Sequence, residues 1–162
     1  NRNMYFSSVL GCNLGMFYKR RDYTRVVNGR NPIVAHEYLG DSVEGKTVFI
    51  ADDIIASGES MLEVASNLKA RGAKRIIADA TFPLFTSGLD KFDKAVEEGT
   101  LDYVVGTNLT YRKPELLNRD WYVDVDVSKY AAYFIVALNH DMSVSSIIDP
   151  IKKIEALLAS RK

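Results

Sequence analysis

The stretch TVFIADDIIASGES, residues 47–60, joins an apolar run, two adjacent acids, two aliphatics and a loop of small residues. TVFIA (47–51) is continuous, apolar and β-rich, the pattern of a strand covered on both faces. The period then changes. Met61, Val64, Ala65 and Leu68 recur at i, i+3, i+4 and i+7, which predicts a helix over 60–71. Ser60 followed by Glu63 fits a capping box and places the helix start at Ser60. Gly72, after Lys69 and Arg71, ends it. A strand handing over through a short loop to a helix is the repeating unit of a parallel α/β sheet.

The rest of the chain continues that rhythm. Upstream, 14–18 and 33–39 read as short strands around the polar stretch KRRDYTRVVNGRN. Downstream, strands are expected at 75–81, 102–107 and 121–125, and helices at 89–99, 127–139 and 150–160. Strands alternating with helices of about a dozen residues predict a parallel sheet with helices on both faces. The 162 residues suffice for a single domain burying roughly 70% of its unfolded surface. With 47% hydrophobic and 26% charged residues, the chain has the balance of a soluble globular domain.

Lys plus Arg and Asp plus Glu each number 21, so net charge argues for neither nucleic acid nor membrane as a partner. The longest apolar run, 130–138, is far shorter than the roughly 18 residues of a membrane-spanning helix. The lone Cys12 cannot form an internal disulfide and is expected to be a packed thiol, and the localisation expected is cytoplasmic. His36 and His140 lack partners at metal-site spacing, and Trp121 is expected in the core or at a subunit contact.

Two segments carry chemistry. Asp52 and Asp53 are expected at the carboxyl end of a strand, where open α/β sheets bind ligands. The loop Ala56-Ser57-Gly58-Glu59-Ser60 follows, feeding a helix N-terminus. Gly58 allows close backbone approach, Ser57 and Ser60 offer hydroxyls, and the first helical N–H groups are unpaired, which together suit a phosphate. The carboxylates suit sugar hydroxyls or a divalent cation, so a sugar phosphate satisfies both halves. A capped helix after a polar strand end explains the same residues without a ligand. The second segment holds Lys19, Arg20, Arg21, Arg25 and Arg30 against only Asp22. Such a run either clamps a polyphosphate or is a solvated loop. No aromatic ladder accompanies it, which argues against single-stranded nucleic acid.

The strand, acid pair and small-residue loop resemble the phosphoribosyl-diphosphate fingerprint of type I phosphoribosyltransferases. YKRRDYTR (18–25), HEYLGDSVEGKTVFIADDIIASGES (36–60), ARGAKRI (70–76) and SVSSII (143–148) resemble more closely the C-terminal half of ribose-phosphate diphosphokinases. The resemblance implies a phosphoribosyltransferase-like domain with a flexible basic loop or hairpin. It also implies that this domain is the C-terminal part of a longer two-domain chain. The reaction implied is transfer of the diphosphoryl group of ATP, with Mg²⁺, to the C1 hydroxyl of ribose 5-phosphate. Lys19 and Arg21 would stabilise the transferring group, Asp52 and Asp53 would hold ribose hydroxyls, and Ala56, Ser57, Gly58, Glu59 and Ser60 would cradle the 5-phosphate. The family further implies a homo-oligomer, dimer or hexamer, with Mg²⁺ ligands and the ATP site largely in the N-terminal half.

The loop departs from the family's usual Asp-Thr-(Ala or Gly)-Gly-Thr. Ala56 removes a carboxylate and Glu59 adds one. A carboxylate about 5 Å from a phosphate charge costs on the order of 3 kcal/mol at an effective dielectric of about 20, unless it points away. These departures support one alternative, a non-catalytic regulatory relative of the synthetase; a phosphoribosyltransferase that consumes phosphoribosyl diphosphate is a second enzymatic alternative.

Overall fold

The computed structural model describes residues 2–21 and 33–160, with backbone only at residues 2, 19–21 and 33–36. Residues 22–32, which include Asp22, Arg25 and Arg30 of the basic segment, lie outside the described residues. Two compact units divide the chain, Asn1–Ser42 and Val43–Lys162.

In the first unit, helix α1 (Arg2–Leu10) precedes strands β1 (Met16–Arg21) and β2 (Ile33–Leu39). The two strands pair antiparallel, Met16 with Leu39 and Lys19 with His36, with a register shift between Arg20 and Arg21. β1 runs three residues beyond the expected 14–18 end, so the Lys-Arg-Arg triplet is strand backbone and not loop. Helix α1 had no sequence signal, because its apolar residues form no buried stripe: Met4, Tyr5 and Leu10 are all exposed. Cys12 is exposed too, which corrects the expectation of a packed thiol.

The second unit holds a four-stranded sheet in the order β3 (Thr47–Ile55), β4 (Arg75–Pro83), β5 (Tyr103–Thr107), β6 (Tyr122–Val125), every neighbouring pair parallel. Helices α2 (Glu59–Ala70), α3 (Asp90–Glu97) and α4 (Pro114–Leu117) make the crossovers, and α5 (Ser128–Asn139), α6 (Ser145–Ile148) and α7 (Ile151–Ala159) close the chain. Parallel neighbours need such crossovers, which is why strands and helices alternate in sequence.

Burial follows the pleat. On β4, Ile76, Ala78 and Ala80 are fully buried while the residues between them are not. The helix α2 packs on β3 and β4 and buries Met61, Ala65 and Leu68, three of the residues that its period picked out. β3 is less covered than its apolar sequence suggests, with Phe49 and Ile54 exposed. As the terminal strand of the order it has, among the described residues, only β4 beside it in that sheet.

An aromatic cluster fills the space behind the loop 56–60. Phe92 is fully buried, stacks on Trp121 at 5.8 Å between ring centroids and meets Phe85 edge-on at 4.9 Å. Burying a side chain of that size stabilises the fold by roughly 1.5–3 kcal/mol. Trp121 is 6% exposed, which places it in the core, one of its two expected settings.

The cluster is pinned by Asp93. Its Oδ1 accepts from Trp121 Nε1 at 2.7 Å and Arg119 Nε at 2.9 Å, and its Oδ2 accepts from Arg119 Nη2 at 2.8 Å. The Arg119 hydrogen bond, first among the causes, holds the Asp93 carboxyl below its ordinary range. A carboxyl with a depressed folded pKa stabilises the fold above the unfolded value of about 3.9, and loses that contribution as pH falls through the folded value. Both partners are about one-third exposed, so the contribution is on the order of 1 kcal/mol. The stability difference between wild type and Asp93→Asn, measured by urea unfolding, is therefore expected to hold from pH 7 to about 5 and to shrink below about 4. A difference that stays constant down to pH 2 would remove Asp93 as the source.

Candidate functional site

β3 runs four residues past the expected end at Ala51, so Asp52 and Asp53 lie inside its last turnless stretch, before Ile54 and Ile55. Both acids are exposed. Asp52 pairs in register with Ala80, and its Oδ1 accepts the backbone N–H of Asp53 at 2.8 Å. Consecutive strand residues project to opposite sides. A ligand that met both carboxylates would therefore lie across the strand rather than on one face of it.

The chain leaves the sheet at Ile55, which is buried. The Ile55 carbonyl accepts from the N–H groups of Leu84 and Phe85 at 2.9 and 3.1 Å, and the Ala56 carbonyl from that of Thr86 at 2.9 Å. The entry to the loop is thus tied to the segment that follows β4. Phe85 pays for this tie with a left-handed backbone, φ 46°, a conformation that a bulky residue keeps only when its surroundings enforce it.

Gly58 caps α2 in the left-handed conformation, φ 78° and ψ −5°, with no side-chain cap. The helix begins at Glu59, one residue before the expected start, and the Ser60–Glu63 capping box is not formed. Ser60 falls inside the first turn instead. Ser57 Oγ accepts weakly from Glu59 N–H at 3.4 Å, and Leu62 N–H bonds back to the Gly58 carbonyl at 2.9 Å. The N–H groups of Ser60 and Met61 precede the first helical hydrogen bond and, with the helix dipole, favour an anion in front of them. Gly58 is buried against Phe92: a Cβ there would stand 2.3 Å from the ring. The loop therefore rests directly on the aromatic cluster.

Glu59 has a partner that sequence reasoning missed. Lys91 Nζ, in the first turn of α3, donates to Glu59 Oε1 at 2.6 Å. The hydrogen bond from Lys91, ahead of its charge, holds the Glu59 carboxyl below its usual range. Nothing local announces this pair, since Lys91 is one polar position of an amphipathic helix. Phe92 was equally silent, an apolar residue on the buried side of α3.

A second polar cluster ties the carboxyl ends of β5 and β6 to α5. Asn108 Nδ2 donates to Asp126 Oδ1 at 2.6 Å and to Ser128 Oγ at 2.8 Å, and Asn108 Oδ1 accepts from Val127 N–H at 2.9 Å. The Ser128 hydroxyl, first among several donors, holds the Asp126 carboxyl below its ordinary range. Arg112 pairs with Asp124 beside it. This cluster shapes the same end of the sheet as the loop. Among the described residues no group of three or more His, Cys, Asp or Glu could hold a metal ion.

Lys19 and Arg21 lie on β1, and only their backbone is described. No helix among the described residues is long and apolar enough to cross a membrane.

Comparison with known proteins adds a family. The family model of the phosphoribosyl transferase domain matches residues 3–128. A ribose-phosphate pyrophosphokinase of Wolinella succinogenes is 35% identical over 114 residues, covering 70% of this chain and 34% of that protein. That of Shewanella oneidensis is 29% identical over 134 residues, covering 83% of this chain and 39% of that protein. The chain thus spans between a third and two-fifths of the length of these curated relatives. A crystal structure of phosphoribosylpyrophosphate synthetase from Mycobacterium smegmatis shares the fold, with a TM-score of 0.64 at 22% identity over 85% of this chain and 40% of that one.

Proposed function

The chain belongs to the phosphoribosyl transferase domain family, and from that premise we propose that it is the C-terminal domain of a ribose-phosphate diphosphokinase. The reaction is transfer of diphosphate from ATP to ribose 5-phosphate, giving phosphoribosyl diphosphate and AMP. The observation that carries this reading is the alignment of ribose-phosphate pyrophosphokinases with 67–83% of the chain, a span long enough to take in the acid pair and the loop.

In this reading Asp52 and Asp53 accept hydrogen bonds from the ribose hydroxyls. The backbone of 56–60, with the Ser57 and Ser60 hydroxyls, holds the 5-phosphate before α2. Lys19 and Arg21 stabilise charge on the transferring group. Phosphoryl-type transfer depends chiefly on positioning and on such stabilisation, so few reactive groups are needed. Mg²⁺ would ride on the substrate phosphates, its usual mode of binding, and would neutralise their charge. The ATP site belongs to the other half of such an enzyme. The protein then works in the cytoplasm as a homo-oligomer, dimer or hexamer, without nucleic acid or membrane as partner.

One observation bears on the regulatory alternative. Its best support was Ala56, which lacks a carboxylate, and the extra carboxylate at Glu59, and of the two the Glu59 carboxylate is matched by Lys91 at 2.6 Å. The unfavourable charge in the loop is cancelled locally, which favours a working cradle. A phosphoribosyltransferase is disfavoured by the Lys-Arg-Arg segment, Lys19 to Arg21, whose charges suit a diphosphoryl group in transit.

The 162-residue chain is expected to bind ribose 5-phosphate in calorimetry and to release no AMP from ATP and ribose 5-phosphate. Robust AMP release by the chain alone would overturn its assignment as half of a two-domain enzyme. Absence of ribose 5-phosphate binding would overturn the substrate.

A further inference from the structure

Glu59 and Lys91 stand 32 residues apart in sequence and meet at the mouth of the loop. Both are substantially exposed, Glu59 at 69% and Lys91 at 49% of the side chain. An exposed ion pair of this kind adds little to stability. Its consequence is electrostatic and local, because Glu59 is a residue of the loop itself and the first residue of α2.

The position of Lys91 is not accidental to the loop. Its neighbour Phe92 is fully buried and touches Gly58, and Asp93, the next residue, is fixed by Arg119 and Trp121. The backbone of α3 is therefore anchored against the loop, and only the flexible Lys91 stem is free to redirect the ammonium. An ammonium is a compact charge that a carboxylate or a phosphate oxygen can attract equally.

We propose that Lys91 sets the affinity of the 56–60 loop for a phosphate group by cancelling the charge of Glu59. This rests on the reading of that loop as a phosphate cradle. With Lys91 present, the loop meets the phosphate as a neutral pair in front of a helix N-terminus. Without Lys91, Glu59 repels the phosphate. Without Glu59, the ammonium turns to the phosphate itself. Lys91 is thereby an affinity-setting residue contributed by an element outside the fingerprint.

The two single replacements should act in opposite directions. Calorimetry on the 162-residue chain, with ribose 5-phosphate and inorganic phosphate as probes, should show Lys91→Met binding about tenfold more weakly than wild type, about 1.4 kcal/mol. Glu59→Gln should bind several-fold more tightly, the double variant should return to within about twofold of wild type, and Lys91→Arg should match wild type. All differences should narrow at about 0.5 M salt, where exposed charges are screened.

If wild type binds ribose 5-phosphate and both single variants weaken it by similar factors, the pair is only a staple between α2 and α3. The inference then fails while the function stands. An unchanged Lys91→Met overturns it equally. If inorganic phosphate binds with opposite signs for the two variants but ribose 5-phosphate does not bind, the inference holds and the sugar-phosphate reading is lost. If neither probe binds to wild type or to Glu59→Gln, both fall.

Discussion

Replacing Gly58 with alanine is expected to destabilise the fold by roughly 2–5 kcal/mol and to abolish ribose 5-phosphate binding. Two effects add at this position. The backbone is left-handed, φ 78°, which costs a residue with a Cβ roughly 1–2 kcal/mol. The new Cβ would also stand 2.3 Å from two atoms of the Phe92 ring. That ring has nowhere to go, being stacked on Trp121 and edge-on to Phe85. Overpacking of a filled core costs about 1–3 kcal/mol. The alternative is that the loop lifts away, which moves the N–H groups that the proposed function aims at the 5-phosphate.

Gly88 supplies the control. It has a similar left-handed backbone, φ 83°, but nothing lies within 4 Å of an added Cβ. Gly88→Ala should therefore show the backbone cost alone, roughly 1–2 kcal/mol, and leave ribose 5-phosphate binding in place. Urea unfolding of the two variants side by side separates strain from clash. Equal losses would mean that the contact between Gly58 and Phe92 does not constrain the loop.

The largest effect on turnover is expected from Lys19→Ala in a longer chain that carries both halves of the synthetase. Removing a charge that stabilises a transferring group typically lowers kcat by about 10²–10³-fold, about 2.7–4 kcal/mol. Ribose 5-phosphate KM should change little, because Lys19 is assigned to the moving diphosphoryl group and not to the sugar. Asp52→Asn together with Asp53→Asn should show the opposite split, with KM raised more than kcat is lowered. AMP formation from ATP and ribose 5-phosphate reads out both. A Lys19→Ala enzyme within threefold of wild-type kcat would remove Lys19 from the machinery. A wild-type parent without turnover would turn the function toward the regulatory reading.

The alternation of strand and helix was legible because each element carries its own period. Met61, Ala65 and Leu68 of α2 recur at helical spacing because one face of that helix packs on the sheet. The alternating burial of Ile76, Ala78 and Ala80 on β4 has the same origin in the pleat. Boundaries were less legible. β3 continues through Asp52 and Asp53 to Ile55, since backbone hydrogen bonds to β4 carry the strand past side chains that look like an ending. The start of α2 was misplaced for a related reason. A serine and a glutamate at capping-box spacing are necessary for that cap, but Gly58 already caps the helix two residues before Ser60.

The candidate site divides along the same line. The sequence by itself determined the family, the acid pair, and a small-residue loop feeding a helix, all of which are written in consecutive residues. What surrounds that loop was decided by tertiary structure. Glu59 looked like a defect until α3 brought Lys91 to it, and Gly58 looked merely permissive until Phe92 filled the space where its Cβ would stand. Both contacts join residues more than thirty positions apart. Periodicity records which face a residue turns to the core, whereas the charge or ring that meets it there depends on how separate crossovers pack against each other.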